Sequence, residues 1–442
     1  MFNKNYCVAF NCLLLLLLSS CSISKQLKKN ADTNLLNQPG LENAHIGIAV
    51  YDVAAEKYWY RHNSNKYFIP ASNAKIFTCY AGLKYLGDSL EGIRYTNTTN
   101  GIVLQPTGDP TLLHPDFKTQ PVIQFLQRST TPLFISAGNW KDEALGFGWA
   151  WDDYNSSYMA ERSPLPVYGN LVNWIQDIDT TAENISASIY SNPEVNWKVK
   201  FNSTSQPRFD VERKKNENVF IITEGKEPHK EIAVPFITNT LNAALELLPD
   251  TIGKPITITE EIISPAAFKT IYSQPTDSLL KPMMHSSDNF FAEQVLLMVA
   301  AKQLGYMNTA AIIDSLLKTD LKNLPQQPRW ADGSGLSRYN LFTPEDFIWI
   351  LQEIKNNYSW QRITQIFATG NEGTLNNYYK QNAGNVFLKT GTLSGQVALS
   401  GYIITNKNKI LLVSVLVNNH QTSATKVRRA VEKFIQHIIT QY

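Results

Sequence analysis

The sequence predicts an α+β fold in which one main domain is interrupted by a long, mainly β insertion. Apolar residues alternate as in a hairpin over 46–61, and three strand-like runs follow residue 385, whereas helical periodicity occupies 290–304 and 309–321 of the 442 residues. Between residues 96 and 258 the pattern changes to short β-like runs separated by polar, Pro-rich and Trp-rich connections. Strands and helices that occur in separate blocks are typical of an α+β fold.

The first part of the main domain is predicted to be a hairpin followed by a helix. Apolar residues alternate over 46–50, and a second extended stretch follows over 57–61. Pro70-Ala71 then leads into a helix that begins near Ser72 and stops at Gly87. Ser72 is therefore predicted to lie at a helix N-terminus.

The insertion is predicted to form one or two mainly β domains, with strand-like runs at 132–136 and 185–190. Its aromatic side chains could stack on a sugar or peptide ligand, although such residues more often fill the cores of small β domains. The side chains in question are Trp149, Trp151, Tyr154 and Tyr158.

The last part of the chain is predicted to form an antiparallel sheet closed by a helix. The strand-like runs are 386–390, 397–405 and 410–417, and Asn406-Lys407-Asn408 is a good hairpin turn between the last two. An amphipathic helix follows over 427–438. The predicted units are residues 1–20 (signal peptide), 21–38 (lipidated cysteine and tether), 39–95 with 259–442 (main domain) and 96–258 (insertion).

The N-terminus resembles a bacterial export signal. A short segment with Lys4 leads into an apolar run that is too short to span a bilayer comfortably, and Leu18-Ser19-Ser20-Cys21 resembles a lipobox. We therefore expect an exported, periplasmic or cell-envelope protein that is lipidated on Cys21, with residues 22–38 as a flexible tether to the membrane. The alternative is an ordinary signal peptide with a chance cysteine near its end.

Composition excludes several classes of function. The formal net charge of +2 gives no electrostatic reason to expect a nucleic-acid partner. Seven histidines are scattered without ligand spacing, so neither a metal site nor another cofactor is expected. After removal of the signal and lipidation of Cys21, only Cys79 remains, and it is expected to be a small core residue on a helix.

The motif Ser-x-x-Lys places a hydroxyl and an amine one helical turn apart, so that the amine can take the serine proton. It occurs five times and is weak by itself, but only Ser72 and Lys75 follow a strand pair and open a helix, where the N-terminal dipole favours developing negative charge. The other four pairs are Ser22/Lys25, Ser278/Lys281, Ser315/Lys318 and Ser423/Lys426.

Two further motifs follow in the order required for the same chemistry. Ser287-Asp288-Asn289 leads into an apolar helix, and by itself it is as readily explained as a helix cap. Lys389-Thr390-Gly391-Thr392 ends a strand, where glycine would allow a substrate backbone to lie close to the sheet edge. Taken alone, this motif is equally well explained as a strand end followed by a turn.

The ordered set Ser-x-x-Lys, Ser-Asp-Asn and Lys-Thr-Gly resembles that of the class C low-molecular-mass penicillin-binding proteins, which are D-alanyl-D-alanine carboxypeptidases and endopeptidases. The resemblance covers nearly the whole mature chain, and the long insertion is typical of that family. It implies a serine β-lactamase/transpeptidase-like main domain. The matching segments are residues 70–75 (Pro-Ala-Ser-Asn-Ala-Lys), 108–112 (Gly-Asp-Pro-Thr-Leu), 332–338 (Asp-Gly-Ser-Gly-Leu-Ser-Arg) and 389–393 (Lys-Thr-Gly-Thr-Leu).

The resemblance implies a role for each motif residue. Ser72 would attack the D-Ala-D-Ala carbonyl, and Lys75 would be its base, with a pKa lowered by burial and by the charge of Lys389. Ser287 would relay a proton between Lys75 and the leaving nitrogen, while Asn289 would hold Lys75 and the substrate. The backbone N–H groups of Ser72 and Thr392 would form the oxyanion hole; the remaining substrate contacts would come from Lys389, Thr390, Gly391 and Thr392. Residues 332–338 would shape the rim of the site, unless they are merely a surface turn.

The partners implied are peptidoglycan and its stem peptides, β-lactam inhibitors, and a membrane through the lipid anchor. A β-lactamase or esterase on the same fold is a second interpretation. It is weakened by the insertion, which class A β-lactamases lack, and by Ser287, where class C β-lactamases carry tyrosine. A third is a peptidoglycan-binding lipoprotein without turnover.

Overall fold

The computed structural model describes residues 23–179, 186–203, 206–260 and 264–442. The predicted signal peptide and Cys21 lie outside these ranges. Within them, none of the helices has both the length and the apolar composition that crossing a bilayer requires.

Helices and strands are numbered in chain order. The helices are α1 (23–31, continuing as a π-helical segment over Asp32–Leu36), α2 (Lys75–Tyr85), α3 (Pro121–Arg128), α4 (Asn242–Ile252), α5 (Thr276–His285), α6 (Asn289–Leu304), α7 (Thr309–Lys318), α8 (Pro344–Asn357), α9 (Trp360–Ile366) and α10 (Ala424–Gln441). The strands are β1 (His45–Asp52), β2 (Lys57–His62), β3 (Ser89–Asn97), β4 (Ile102–Pro106), β5 (Leu133–Ile135), β6 (Leu171–Asp179), β7 (Ser186–Asn192), β8 (Lys198–Phe201), β9 (Asp210–Arg213), β10 (Val219–Thr223), β11 (His229–Pro235), β12 (Ile256–Ile258), β13 (Lys269–Pro275), β14 (Val386–Leu393), β15 (Gln396–Ile404) and β16 (Ile410–Asn418).

The main sheet joins the two ends of the chain. Its order is β14-β15-β16-β1-β2, with antiparallel neighbours, and β1 pairs with β16 so that Val50 lies opposite Val413. Alternate residues of each strand point to opposite sides of the sheet, and helices cover both sides. Val413 and Val415 lie on the side of α10, whereas Leu412 and Leu416 lie on the side of α2, α6 and α8. The predicted α+β fold is confirmed.

Helix α6 is apolar around most of its circumference, which explains its central position. Every residue from Phe290 to Ala301 is buried, and α6 packs against α2 and α7. Cys79 of α2 is fully buried in the same core, as predicted. The start of α6 and the segment before α2 are thereby held side by side at the edge of the main sheet.

In its described residues, the inserted part of the chain contains three sheets, of five, three and three strands. They have the orders β12-β5-β4-β3-β13, β8-β10-β9 and β11-β6-β7. In the first of them, β3 pairs with β13, and both strands extend outside the predicted limits of 96 and 258. The sheet therefore starts at Ser89 and ends at Pro275, because the segments that enter and leave the insertion pair with each other.

Contrary to the expected flexible tether, residues 23–36 form a helix that packs on the main domain. Leu27, Ala31 and Leu35 are fully buried in the cluster that contains α10, and Asn30 Nδ2 donates to the Phe434 carbonyl at 3.0 Å. The three apolar residues recur at intervals of four, so one narrow stripe of an otherwise polar segment faces α10.

Candidate active site

Ser72 lies in a short 3₁₀ turn, Ala71–Ala74, directly before α2. The α-helix itself begins at Lys75, three residues later than predicted. The turn is held by Asn73 N, which donates to the Pro70 carbonyl at 3.2 Å. The turn and the first residue of the helix together bring the Ser72 hydroxyl within reach of the Lys75 amine.

Lys75 is fully buried and makes three hydrogen bonds through Nζ. It donates to Ser72 Oγ at 3.0 Å, to Asn289 Oδ1 at 2.7 Å and to the Ser334 carbonyl at 2.7 Å. An ammonium group has three N–H donors, so all of them are used. The first and second sequence motifs therefore meet at one nitrogen atom.

Burial lowers the pKa of Lys75 to about 8, although the carboxylates of Asp288, Asp332 and Glu293 act in the opposite direction. The lowering of the Lys75 pKa by burial agrees with the prediction. Besides burial, the repulsion between the two lysines lowers the pKa of Lys389, whereas the attraction of the carboxylates for the Lys75 ammonium keeps the pKa of Lys75 from falling further. An amine with this pKa is neutral in an appreciable fraction of molecules near pH 7 to 8.

Ser287 and Lys389 form a second pair beside the first. Lys389 is fully buried, and its Nζ donates to Ser287 Oγ and to the Thr390 carbonyl, both at 2.8 Å. Burial, together with the charges of Lys75 and Arg428, holds the pKa of Lys389 well below its usual value. The predicted relay contact of Ser287 was with Lys75, whereas the structure places the Ser287 hydroxyl on Lys389.

The segment Ser287-Asp288-Asn289 is both a helix cap and part of the site. Asp288 Oδ1 accepts a hydrogen bond from Phe291 N at 2.8 Å and so caps α6. Ser287 has a positive φ of 62°, which turns the chain into the helix. Asn289 donates through Nδ2 to the Tyr158 carbonyl at 3.1 Å, so its Oδ1 is oriented toward Lys75.

Strand β14 brings the third motif against the Ser72 turn. A Cβ atom at Gly391 would lie 2.6 Å from the Pro70 carbonyl oxygen and 3.0 Å from Ser72 N. Glycine is therefore required here by the protein's own backbone, in addition to any approach of a substrate. On either side of it, Thr390 Oγ1 donates to Thr374 Oγ1 at 2.6 Å, and Thr392 Oγ1 accepts from Arg428 at 2.5 Å.

The segment 332–338 is largely buried and forms part of the site. Asp332 is fully buried, and its two oxygens accept hydrogen bonds from Gly335 N, Ser337 N, Asn340 Nδ2 and Trp149 Nε1 at 2.6–2.9 Å. This carboxylate fixes the loop that carries the Ser334 carbonyl. The interpretation as a simple surface turn is wrong for this segment.

Two aromatic side chains of the insertion contact residues 332–339. Phe147 is 70% exposed and stacks on Tyr339, the residue that follows the 332–338 segment, with ring centroids 5.1 Å apart. Trp151 is 69% exposed, whereas Trp149 is partly buried against Asp332. The insertion therefore contributes a structural tryptophan, Trp149, and one exposed ring, Phe147, beside the 332–338 segment.

In the described part of the chain, no three His, Cys, Asp or Glu side chains are grouped as metal ligands. The two residues that sequence reasoning missed are Ser334, which acts through its backbone carbonyl, and Glu293, which accepts from Ser334 N at 2.8 Å. A backbone acceptor has no sequence signature. The four-residue spacing of Asn289 and Glu293 on one helix was the available signal for the second.

Comparison with solved structures identifies the fold. The chain superposes on penicillin-binding protein 4 (DacB) from Haemophilus influenzae with a TM-score of 0.71 at 18% identity, covering 93% of this chain and 98% of that one. It also superposes on Bd3459, a predatory peptidoglycan endopeptidase from Bdellovibrio bacteriovorus, with a TM-score of 0.53 at 14% identity, covering 90% and 93%.

The similarity in sequence to known proteins covers nearly as much of the chain as the structural similarity does. The chain is 23% identical to the D-alanyl-D-alanine carboxypeptidase DacB of Haemophilus influenzae over 93% of its residues and 94% of that protein. It is 25% identical to a D-alanyl-D-alanine carboxypeptidase of Actinomadura sp. over 90% of this chain and 82% of that protein. The model of the D-Ala-D-Ala carboxypeptidase 3 (S13) family matches residues 27–438. The chain therefore belongs to the D-Ala-D-Ala carboxypeptidase 3 (S13) family of serine peptidases.

Proposed function

We propose that the protein cleaves the D-Ala-D-Ala bond of peptidoglycan stem peptides through an acyl-enzyme on Ser72. The observation that carries the proposal is the 3.0 Å distance between Ser72 Oγ and the fully buried Lys75 Nζ. In the first step, Ser72 Oγ bonds to the peptide carbonyl carbon and its proton passes to Lys75. The C–N bond then breaks, the amine leaves with a proton, and water hydrolyses the ester.

The surroundings of Lys75 orient it as a base. A neutral amine has two N–H groups and one lone pair, and the Asn289 Oδ1 and Ser334 carbonyl oxygens can only accept hydrogen bonds. When these two acceptors take both N–H groups, the lone pair points to the third neighbour, the Ser72 hydroxyl. Two fixed acceptors thus favour the geometry in which Lys75 removes the serine proton.

The second pair would serve the leaving group and the substrate. Ser287 and Lys389, joined at 2.8 Å, can pass a proton to the departing nitrogen, since Lys389 is a buried amine whose pKa is lowered. In this arrangement the relay runs from Lys389 through Ser287. Thr390, Gly391 and Thr392 would lie along the substrate backbone.

Export and anchoring are proposed from the N-terminal sequence. Cys21 would carry the lipid, and because residue 23 already belongs to α1, which packs on α10, the anchor would join the domain without a long tether. This supports a location at a membrane surface of the cell envelope, where peptidoglycan is the available substrate.

The test of the function is release of D-alanine from a pentapeptide that ends in D-Ala-D-Ala. Wild-type protein should release D-alanine, Ser72→Ala should release none, and benzylpenicillin should inhibit the reaction. Absence of release by folded wild-type protein would favour the non-catalytic interpretation. Rapid hydrolysis of penicillin without peptide cleavage would favour a β-lactamase.

A further inference from the structure

Helix α6 faces the catalytic lysine with two side chains one turn apart. Asn289 accepts directly from Lys75 Nζ, whereas Glu293 Oε1 accepts from Ser334 N at 2.8 Å, and the carbonyl of that same Ser334 accepts from Lys75 Nζ at 2.7 Å. We propose that Glu293 is a positioning residue for Lys75, which acts through the Ser334 peptide. The inference rests on the proposed role of Lys75 as the base.

The burial of Glu293 is difficult to explain by stability alone. Its side chain is fully buried, and in the described part of the structure its Oε2 has no hydrogen-bond partner. The nearest cation is Arg162, whose Nη1 lies 3.6 Å from Oε2. A buried carboxylate with an unsatisfied oxygen destabilises a fold, so its presence next to the site points to a role in function.

Arg162 fixes the position of this carboxylate from the side of the insertion. It is 3% exposed and donates to Thr309 Oγ1 at 2.8 Å and to the carbonyls of Glu143 and Leu145 at 2.9 and 3.0 Å. With its guanidinium held by these acceptors, Arg162 cannot readily swing toward solvent. Glu293 is thereby restricted to the position in which it holds Ser334.

The charge of Glu293 also acts on Lys75. Charged groups that face Lys75 are Asp288 and Glu293 from α6, Asp332 from the 332–338 segment and Lys389 from β14; those that face Glu293 are Arg162, Asp332 and Lys75. Burial and Asp332 raise the pKa of Glu293 to about 7, against the opposing effect of Arg162. Since the pKa of Lys75 is about 8, Glu293 is mostly ionised where Lys75 titrates, and it raises the pKa of Lys75.

The test measures the rate of Ser72 acylation by benzylpenicillin from about pH 6 to pH 10. Glu293→Ala removes the acceptor for Ser334 N as well as the charge, so it should slow acylation about tenfold to a hundredfold at high pH, where Lys75 is neutral in both proteins. Glu293→Gln keeps an acceptor but loses the charge, so its rate at high pH should stay near wild type. The midpoint of its rise should move to lower pH by about one unit.

Glu345→Gln is the matched control. Glu345 is also a buried glutamate, 9% exposed, but it accepts from Ser64 Oγ at 2.7 Å away from Ser72. Its pH profile should match wild type. A purely structural role for Glu293 would change the unfolding temperature without moving the midpoint of the rate profile.

The possible outcomes separate the inference from the function on which it rests. An unshifted midpoint in Glu293→Gln, in protein whose wild-type form is acylated normally, would overturn the inference and leave the function intact. Absence of acylation in the wild type would overturn both. If Glu293→Ala fails to fold, the shift of the pH midpoint in Glu293→Gln by itself decides whether the inference holds.

Discussion

The main domain and the insertion differ in how exposed their side chains at or near the site are. In the main domain, Lys75 and Lys389 are fully buried, and each amine is held by fixed oxygen acceptors. In the insertion, Phe147 and Trp151 are about 70% exposed. The main domain therefore supplies fixed geometry for proton transfer, and the insertion supplies an exposed ring, Phe147, that stacks on Tyr339 beside the 332–338 segment.

This difference indicates that the two regions have different tasks: the main domain carries out the reaction, and the insertion contacts the polymeric substrate. A proton transfer requires atoms within hydrogen-bond distance and a base of lowered pKa, which burial in a packed core provides. Contact with a large polymer requires exposed side chains, which the insertion provides. Changes in the main domain should thus affect small and large substrates equally, whereas changes in the insertion should affect large ones selectively.

The largest effect is expected from Lys75→Ala. Loss of the base should slow both acylation by penicillin and cleavage of a pentapeptide by about 10²–10⁴-fold, since general-base catalysis contributes that much. Rates of both reactions, measured on the same preparation, check this prediction. Wild-type rates with either substrate would contradict the assignment of Lys75 as the base.

A much smaller and more selective effect is expected from Phe147→Ala. The variant loses the ring that stacks on Tyr339, so it should be acylated by benzylpenicillin at the wild-type rate but cleave intact peptidoglycan a few-fold more slowly, as for loss of an exposed aromatic contact of about 1 kcal/mol. Phe201→Ala, which removes a 64% exposed ring elsewhere in the insertion, is the matched control. Equal effects on both substrates would remove the distinction between the two regions.

The motif residues could be predicted from the sequence because each motif is short and its chemistry depends on side-chain type. Ser72, Lys75 and Asn289 are brought together as the prediction requires, and so are Ser287 and Lys389, although the serine contacts the other lysine. Which of two neighbouring amines a hydroxyl contacts depends on distances of a few ångströms, and these are set by how the residues before α6 lie against β14.

Other features were not accessible for identifiable reasons. The Ser334 carbonyl is a backbone atom and has no sequence pattern that marks it. Glu293 is an isolated acidic residue in an apolar helix, and its four-residue spacing from Asn289 does not by itself mark a functional residue. The segment 23–36 was misjudged because its apolar stripe contains only one residue per turn. The pairing of β3 with β13 joins segments far apart in sequence, so no local pattern could predict it.

The most direct test of the account is the intact mass of residues 22–442 after incubation with benzylpenicillin, in wild-type protein and in Ser72→Ala. The account predicts a stable increase by the mass of the drug in the wild type and none in Ser72→Ala. An adduct that persists in folded Ser72→Ala, or no adduct in folded wild-type protein, would contradict the assignment of Ser72 as the nucleophile.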